Sequence, residues 1–147
     1  MAANTGVIQG QDLLVYVGAT PIAHSTTCVL TPTVEVRDRL DKDSGKYKAK
    51  VGGLIDWEIS ADALAAYDGY NYHTLYALMV ARVELVCKFE GRAAVGANDN
   101  WTAEQTGDKY LQGNGIITGM PITAPNNADA TFSITISGSG LLELKTK

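Results

Sequence analysis

Two stretches of unbroken period-two alternation constrain the fold more than any other feature of this sequence. In residues 57–63 and 131–137, every second side chain is apolar, and the residues between them are Glu, Asp, Ser or Thr. Successive side chains of a strand point to opposite faces of a sheet, so each stretch is predicted to be a strand with one dry and one wet face. Further β-type runs lie at residues 12–17, 22–36, 83–89 and 116–122.

Only one segment has the spacing of a helix. From Tyr72 to Val83, apolar residues fall at i, i+3, i+4, i+7, i+8 and i+11, and Asn71 is placed to act as the N-cap. The chain has no linker and no internal repeat, so residues 1–147 are predicted to form a single domain. The predicted fold class is mainly β: an antiparallel two-sheet sandwich or barrel with one flanking α-helix.

Three segments fall outside these elements. Residues 1–10 have no periodicity and are predicted to be an N-terminal arm. The glycines at 138 and 140 are expected to end the last strand, which leaves residues 141–147 as a C-terminal tail. Residues 93–112 are rich in Gly, Asn, Asp and Thr and are predicted to form a long loop.

The segment 37–53 is set apart by its charge. Nine of its residues are charged, six basic and three acidic, which gives +3 and leaves −7 for the rest of a chain whose formal charge is −4. Asp43-Ser44-Gly45 is a turn signal in its middle. We expect an extended, hairpin-like charged loop that is too polar to belong to the core.

The residues that chemistry or membrane insertion would require are scarce. The sequence near the two histidines offers no second pair of ligands for a zinc-type metal site. Cys28 and Cys87 lie far apart in apolar stretches, which is typical of buried free thiols. Apolar runs stay below the ~18–20 residues of a membrane span, and no secretory leader opens the sequence. We therefore expect a protein that is not an enzyme, has no cofactor or metal, has no membrane partner and is made in the cytoplasm.

The C-terminal passage 113–140 resembles the closing hairpin of phage major tail tube proteins. It contains a small-residue strand that ends in Ile122-Thr123, a polar turn, then Ala130-Thr131-Phe132-Ser133 with alternating apolar residues and a final Gly-Ser-Gly. The order of the other features is similar: an early Leu-Val-Tyr-Val strand, a Gly-x-x-Pro turn, a charged loop, and a strand-helix-strand unit. Residues 93–112 depart from this layout.

The resemblance implies a structural subunit that assembles as six-membered rings, stacked into the tail tube of a virion. It implies that each subunit adds strands to an inner barrel around a channel, and that a long loop contacts the next ring. It further implies as partners other copies of the chain and the tail terminator, tape measure and distal tail proteins. DNA would pass without specific binding, in keeping with an acidic chain.

Two sets of residues are candidates for these roles. The cations of the charged loop are predicted to carry ring stacking on an anionic neighbour: Arg37, Arg39, Lys42, Lys46, Lys48 and Lys50. The wet strand faces are candidates for the channel lining: Glu58, Ser60, Asp62, Glu84, Thr131, Ser133, Thr135 and Ser137. These strand faces would equally suit the solvated surface of a monomer, and the loop would equally suit a mobile surface loop.

Two alternatives remain open at this point. One is a related tube, such as the inner tube of a contractile tail or of a secretion-type injection device. The other is a virion decoration protein or a carbohydrate-binding β-sandwich, which would be a compact particle rather than a ring.

Overall fold

The computed structural model describes residues 4–40, 42, 45–67, 69–92 and 102–147. In these ranges the chain forms eight strands and one α-helix, preceded by a short 3-10 turn at Gly10–Asp12. The elements are β1 Leu13–Val17, β2 Thr20–Pro21, β3 Ser25–Arg39, β4 Ala49–Leu64, α1 Tyr72–Ala81, β5 Leu85–Gly91, β6 Lys109–Gly119, β7 Ile122–Thr123 and β8 Thr131–Thr146. The predicted mainly β, antiparallel fold with one helix is confirmed.

The strands belong to one open sheet in the order β2-β1-β5-β6-β8-β4-β3, with β7 added to β8. The two layers of the predicted sandwich are therefore parts of one continuous sheet. β1 and β3 lie near opposite ends of this order, yet they contact each other. The sheet must curl to bring them together, and the core fills the inside of the curl.

The alternation in β4 and β8 produces the core as the sequence predicts. The antiparallel register sets buried residues of the two strands opposite each other, in the pairs Ile59–Ile136, Ala61–Ile134 and Ala63–Phe132. Pro32 lies on β3, which is the edge strand of the sheet, and an edge is where a residue without an N–H is tolerated.

Trp57 packs against a floor of glycines on β6 and β8. A Cβ atom at Gly113 would lie 2.6 Å from the Trp57 ring, and one at Gly138 would overlap three atoms of that ring. The indole N–H donates to the carbonyl of Gly140 at 3.2 Å. These glycines therefore leave room for a large side chain in the middle of the sheet.

The predicted end of the last strand at residues 138–140 is wrong, because β8 continues to Thr146 and pairs with β6 along residues 109–113. A register shift between Gly113 and Asn114, and a positive φ of 80° at Gly140, accommodate the irregularity without ending the ladder. Residues 141–146 are thus strand and not an irregular tail. Residues 109–112, predicted as loop, begin β6, while residues 1–3 of the arm and 93–101 of the loop lie outside the described ranges.

Helix α1 begins as predicted, since the Asn71 side chain accepts a hydrogen bond from the His73 N–H. Its predicted apolar stripe is only partly covered. Leu75 is fully buried and Tyr72 packs edge-on against Phe132, but Tyr76, Val80 and Val83 remain about half exposed. Among the described residues, no helix is both long and apolar enough to cross a bilayer.

Burial of Cys87 in this core makes the stability of the fold sensitive to alkaline pH. Desolvation raises the pKa of its thiol from 9.0 to about 11, so the unfolded chain loses the proton first. The free energy of unfolding should therefore decline as the pH rises from about 9 to about 11.

Urea denaturation of the wild type and of Cys87→Ala over this pH range checks the expectation. The variant lacks the thiol and should lose less stability between the two ends of the range. An identical decline in both proteins would assign the effect to other groups.

Candidate assembly site

The wet faces of β4 and β8 form one continuous polar surface. The register places three acidic or hydroxyl residues of β4 directly opposite three hydroxyl residues of β8, in the pairs Glu58–Ser137, Ser60–Thr135 and Asp62–Ser133. The Ser133 hydroxyl donates to Oδ1 of Asp62 at 2.6 Å. We call this surface, with the residues added in the next paragraph, the polar face.

The other two candidates for a channel lining adjoin the same surface. Thr131 precedes Ser133 by two residues on β8 and so points to the same side. Glu84 accepts a hydrogen bond of 2.7 Å from the hydroxyl of Ser139, which is two residues beyond Ser137. All eight candidates thus belong to the polar face.

Sequence reasoning missed two members of the polar face. Ser139 was not found because β8 was expected to end at residue 138, although the alternation of Ser and Thr continues through it. Thr118 on β6 donates from its hydroxyl to the carbonyl of Thr135 at 3.3 Å. On β3, the residues opposite Asp62, Ser60 and Glu58 are Thr27, Val29 and Thr31. β3 therefore adds no cation to the polar face at these positions.

Beyond the body, β3 and β4 continue as a two-stranded ribbon. β8 accompanies β4 only over residues 58–64, whereas the β3–β4 ladder extends from there to the pair Arg39–Ala49. The distance from Thr31 to Arg39 is about 26 Å at roughly 3.3 Å per residue. We call residues 31–58 the ribbon; its tip contains the charged loop of residues 37–53.

Apart from Trp57, which is buried where the ribbon meets the body, both surfaces of the ribbon are largely exposed. The side chains of Val34, Val36 and Ile55 are 53%, 57% and 68% accessible, although they continue the side of the sheet that forms the core in the body. An isolated two-stranded hairpin is marginally stable in water. The ribbon therefore exposes apolar side chains and unpaired backbone edges.

The cations predicted for ring stacking all lie on the ribbon and are solvent-exposed: Arg37, Arg39, Lys42, Lys46, Lys48 and Lys50. None of the six forms an ion pair with a described residue. Asp38 is the one acid of the segment 37–53 that the structure describes, so this part of the ribbon carries an excess of positive charge, and an anionic surface of another molecule would be a favourable contact.

The described residues contain no group of three or more His, Cys, Asp or Glu side chains that could hold a metal ion. The two thiols are poor nucleophiles, because burial raises the pKa of both Cys28 and Cys87.

No protein-family model matches the sequence, and no curated protein sequence matches it. Solved structures of virus-like tails do match its fold. One, from the virion of a native gene transfer agent particle, superposes with a TM-score of 0.75 and 15% identity, covering 95% of this chain and 99% of the other.

Two further structures make the type of fold more specific. A chain from the tail of an empty gene transfer agent particle, refined with C6 helical symmetry, gives a TM-score of 0.74 at 15% identity over 95% of this chain and 99% of the other. The SPP1 tail tube gives 0.67 at 10% identity over 96% of this chain and 80% of the other. The chain has the fold of these tail proteins, as the resemblance at residues 113–140 predicts.

Proposed function

We propose that this protein is the structural subunit of a bacteriophage tail tube, and that it assembles as stacked six-membered rings around a channel for DNA. The tail-tube fold and the C6 symmetry of one of the similar tails support this function. They favour it over a decoration or carbohydrate-binding sandwich. Its place would be the tail of the virion, and it would have no enzymatic role.

The observation that carries the proposal is a pair of open edges on the same part of the sheet. No described strand other than β4 pairs with β3, and residues 25–31 of β3 contain neither a charge nor a proline. At the other side, β5 pairs with β6 only up to Gly115, so no described strand covers Ile116 to Gly119. Long uncharged edges are templates for pairing with another chain.

Ring closure would join these two edges. If β3 of one copy pairs with the end of β6 in the next, the strands β3, β4, β8 and β6 of each subunit form a continuous barrel. A closed barrel has no edges, and the strand tilt that closure requires is compatible with a curled sheet. The polar face would then line the channel or the outside of that barrel.

We assign the polar face to the channel. Its acids and hydroxyls are the eight predicted residues, Glu58, Ser60, Asp62, Glu84, Thr131, Ser133, Thr135 and Ser137, together with Thr118 and Ser139. Carboxylates repel the phosphates of DNA, and short hydroxyl side chains offer few contacts, so DNA could pass without being held.

We assign contacts between rings to the ribbon. A ribbon that projects along the strand direction reaches beyond its own ring, and its cations would meet the anionic body of a copy in the next. A head-to-tail contact of this kind repeats without limit. The tail terminator, tape measure and distal tail proteins would meet the ends and the interior of such a tube.

Concentrating the purified protein tests this function. Size-exclusion chromatography with negative-stain imaging should reveal rings or tubes that appear above a threshold concentration. A compact monomer or trimer at every concentration, ionic strength and pH would instead support the decoration-protein alternative.

A further inference from the structure

The N-terminal residues 4–9 form a strap across one end of the sheet. They lead into the 3-10 turn at Gly10–Asp12 and pass over a cavity of about 440 Å³, whose other walls include Leu13, Gly91 and Glu104. Residues 4–8 line this pocket, and the side chains of Val7 and Ile8 are largely exposed, so the strap does not pack on the body as a core element would.

Asn4, the first residue of the strap, connects it to the body through hydrogen bonds. The backbone N–H of Asn4 donates to Oδ1 of Asp108 at 2.7 Å, and its side-chain amide donates to Oδ2 of Asp108 at 2.6 Å and to the Ala103 carbonyl at 2.9 Å. The Gln105 N–H, and after it the backbone and side-chain donors of Asn4, hold the pKa of Asp108 below its usual value. No hydrogen bond to a described residue is made by residues 5–8.

Asp108, which accepts the hydrogen bonds from Asn4, is held in place by other residues of the body. Oδ2 of Asp108 also accepts from the Gln105 N–H at 2.8 Å, and the Asp108 carbonyl accepts from the Lys147 N–H at 2.8 Å. Asp108 is therefore fixed in the body by the chain on either side, and opening the contact moves only the strap.

The rest of the strap makes few contacts that would resist its detachment from the body. Val7 and Ile8 are 95% and 68% exposed, so they contribute almost nothing to the isolated fold. Gly6 has a φ of 99° with open space around it, a conformation that glycine adopts without strain. Segments with few buried contacts and few backbone hydrogen bonds are those that open at low cost.

We propose that the strap is a conformational latch: Asn4 and Asp108 hold it closed in the free subunit, and it opens when the subunit joins a second copy. The proposal rests on the proposed function. A contact present only in the free subunit opposes assembly by its own free energy, whereas one that persists in the tube does not shift the equilibrium. The latch would thus raise the concentration at which tubes begin to grow.

The test compares Asn4→Ala with Thr5→Ala, a change on the same strap at a side chain without a hydrogen bond. The critical concentration is measured by pelleting tubes from the full-length protein, and hydrogen exchange of residues 4–9 is measured below that concentration. Asn4→Ala should exchange faster and lower the critical concentration by about tenfold. Thr5→Ala should match the wild type in both.

Each outcome decides. A critical concentration for Asn4→Ala that equals or exceeds that of the wild type would overturn the latch, because the contact would then persist in the tube or contribute nothing. Failure of the wild type to form tubes would overturn the proposed function and the latch together. Tubes of wild-type protein with equal critical concentrations for all three proteins would overturn the latch alone.

Discussion

Replacing Gly138 with alanine should lower the free energy of unfolding by about 3 kcal/mol, the upper part of the range for overpacking a core. The added Cβ would overlap the indole of Trp57, which lies in the core and has no room to retreat. Chemical denaturation followed by circular dichroism measures the change. It is the largest effect we expect from adding one methyl group to this chain.

Gly119→Ala is the matched control. Gly119 is also a strand glycine, on β6, but nothing lies within 4 Å of a Cβ built there. Its substitution should change the free energy of unfolding by no more than about 0.5 kcal/mol. Equal effects of the two substitutions would mean that glycine is needed for the backbone and not for the indole.

A double mutant separates the indole from other causes. Trp57→Ala alone should cost about 4 kcal/mol through the cavity it leaves. In the Trp57→Ala background the clash at Gly138 no longer exists, so Gly138→Ala should add little further loss. Additive losses would contradict the packing that we describe.

Reversing the charge of Lys46, Lys48 and Lys50 to Glu should leave a folded subunit that does not grow into tubes. The three side chains are exposed and make no ion pair with a described residue, so the fold should tolerate the change. The reversal takes the formal charge of residues 37–53 from +3 to −3, and an attractive contact with an anionic neighbour becomes repulsive. Sedimentation and negative-stain imaging measure growth.

The control reverses three lysines of the body, Lys88, Lys109 and Lys145, and so gives the same net charge. If that variant grows tubes while the ribbon variant does not, the position of the charge matters and not its total. Tubes of normal length from the ribbon variant would show that its cations are not needed for stacking.

The strands and the helix cap could be predicted because their causes are local. A half-buried strand must alternate apolar and polar side chains, which residues 57–63 and 131–137 do. An Asn at the start of a helix can accept hydrogen bonds from the first free N–H groups, so Asn71 could be identified as the cap from its position alone. The exposure of Tyr76 and Val80 could not be predicted. Their spacing matches that of Leu75, and only the position of the sheet under the helix separates buried from exposed residues.

The end of β8 illustrates a different kind of error. Glycines at 138 and 140 resemble a strand terminator when only neighbouring residues are considered. In the fold, Gly138 is small because Trp57, 81 positions earlier in the numbering, lies against it. A tertiary cause of this kind leaves no periodic pattern in the sequence.

The polar face was predictable strand by strand but not as a surface. Alternation assigns Glu58, Ser60 and Asp62 to one side of β4, and it assigns Ser133 and its neighbours to one side of β8. That β8 lies next to β4, and in a register that brings Ser133 to Asp62, follows from the topology of the whole sheet. The projection of the ribbon likewise depends on where β8 stops accompanying β4.

Cryo-electron microscopy of the assembled protein tests the central claim most directly, because it reveals both the symmetry and the surface that faces the axis. We expect six copies around a channel, with β3 of each copy paired to the end of β6 in the next and with Glu58, Asp62 and Ser137 facing the channel. Particles without a channel, or a channel lined by another surface of the subunit, would contradict it.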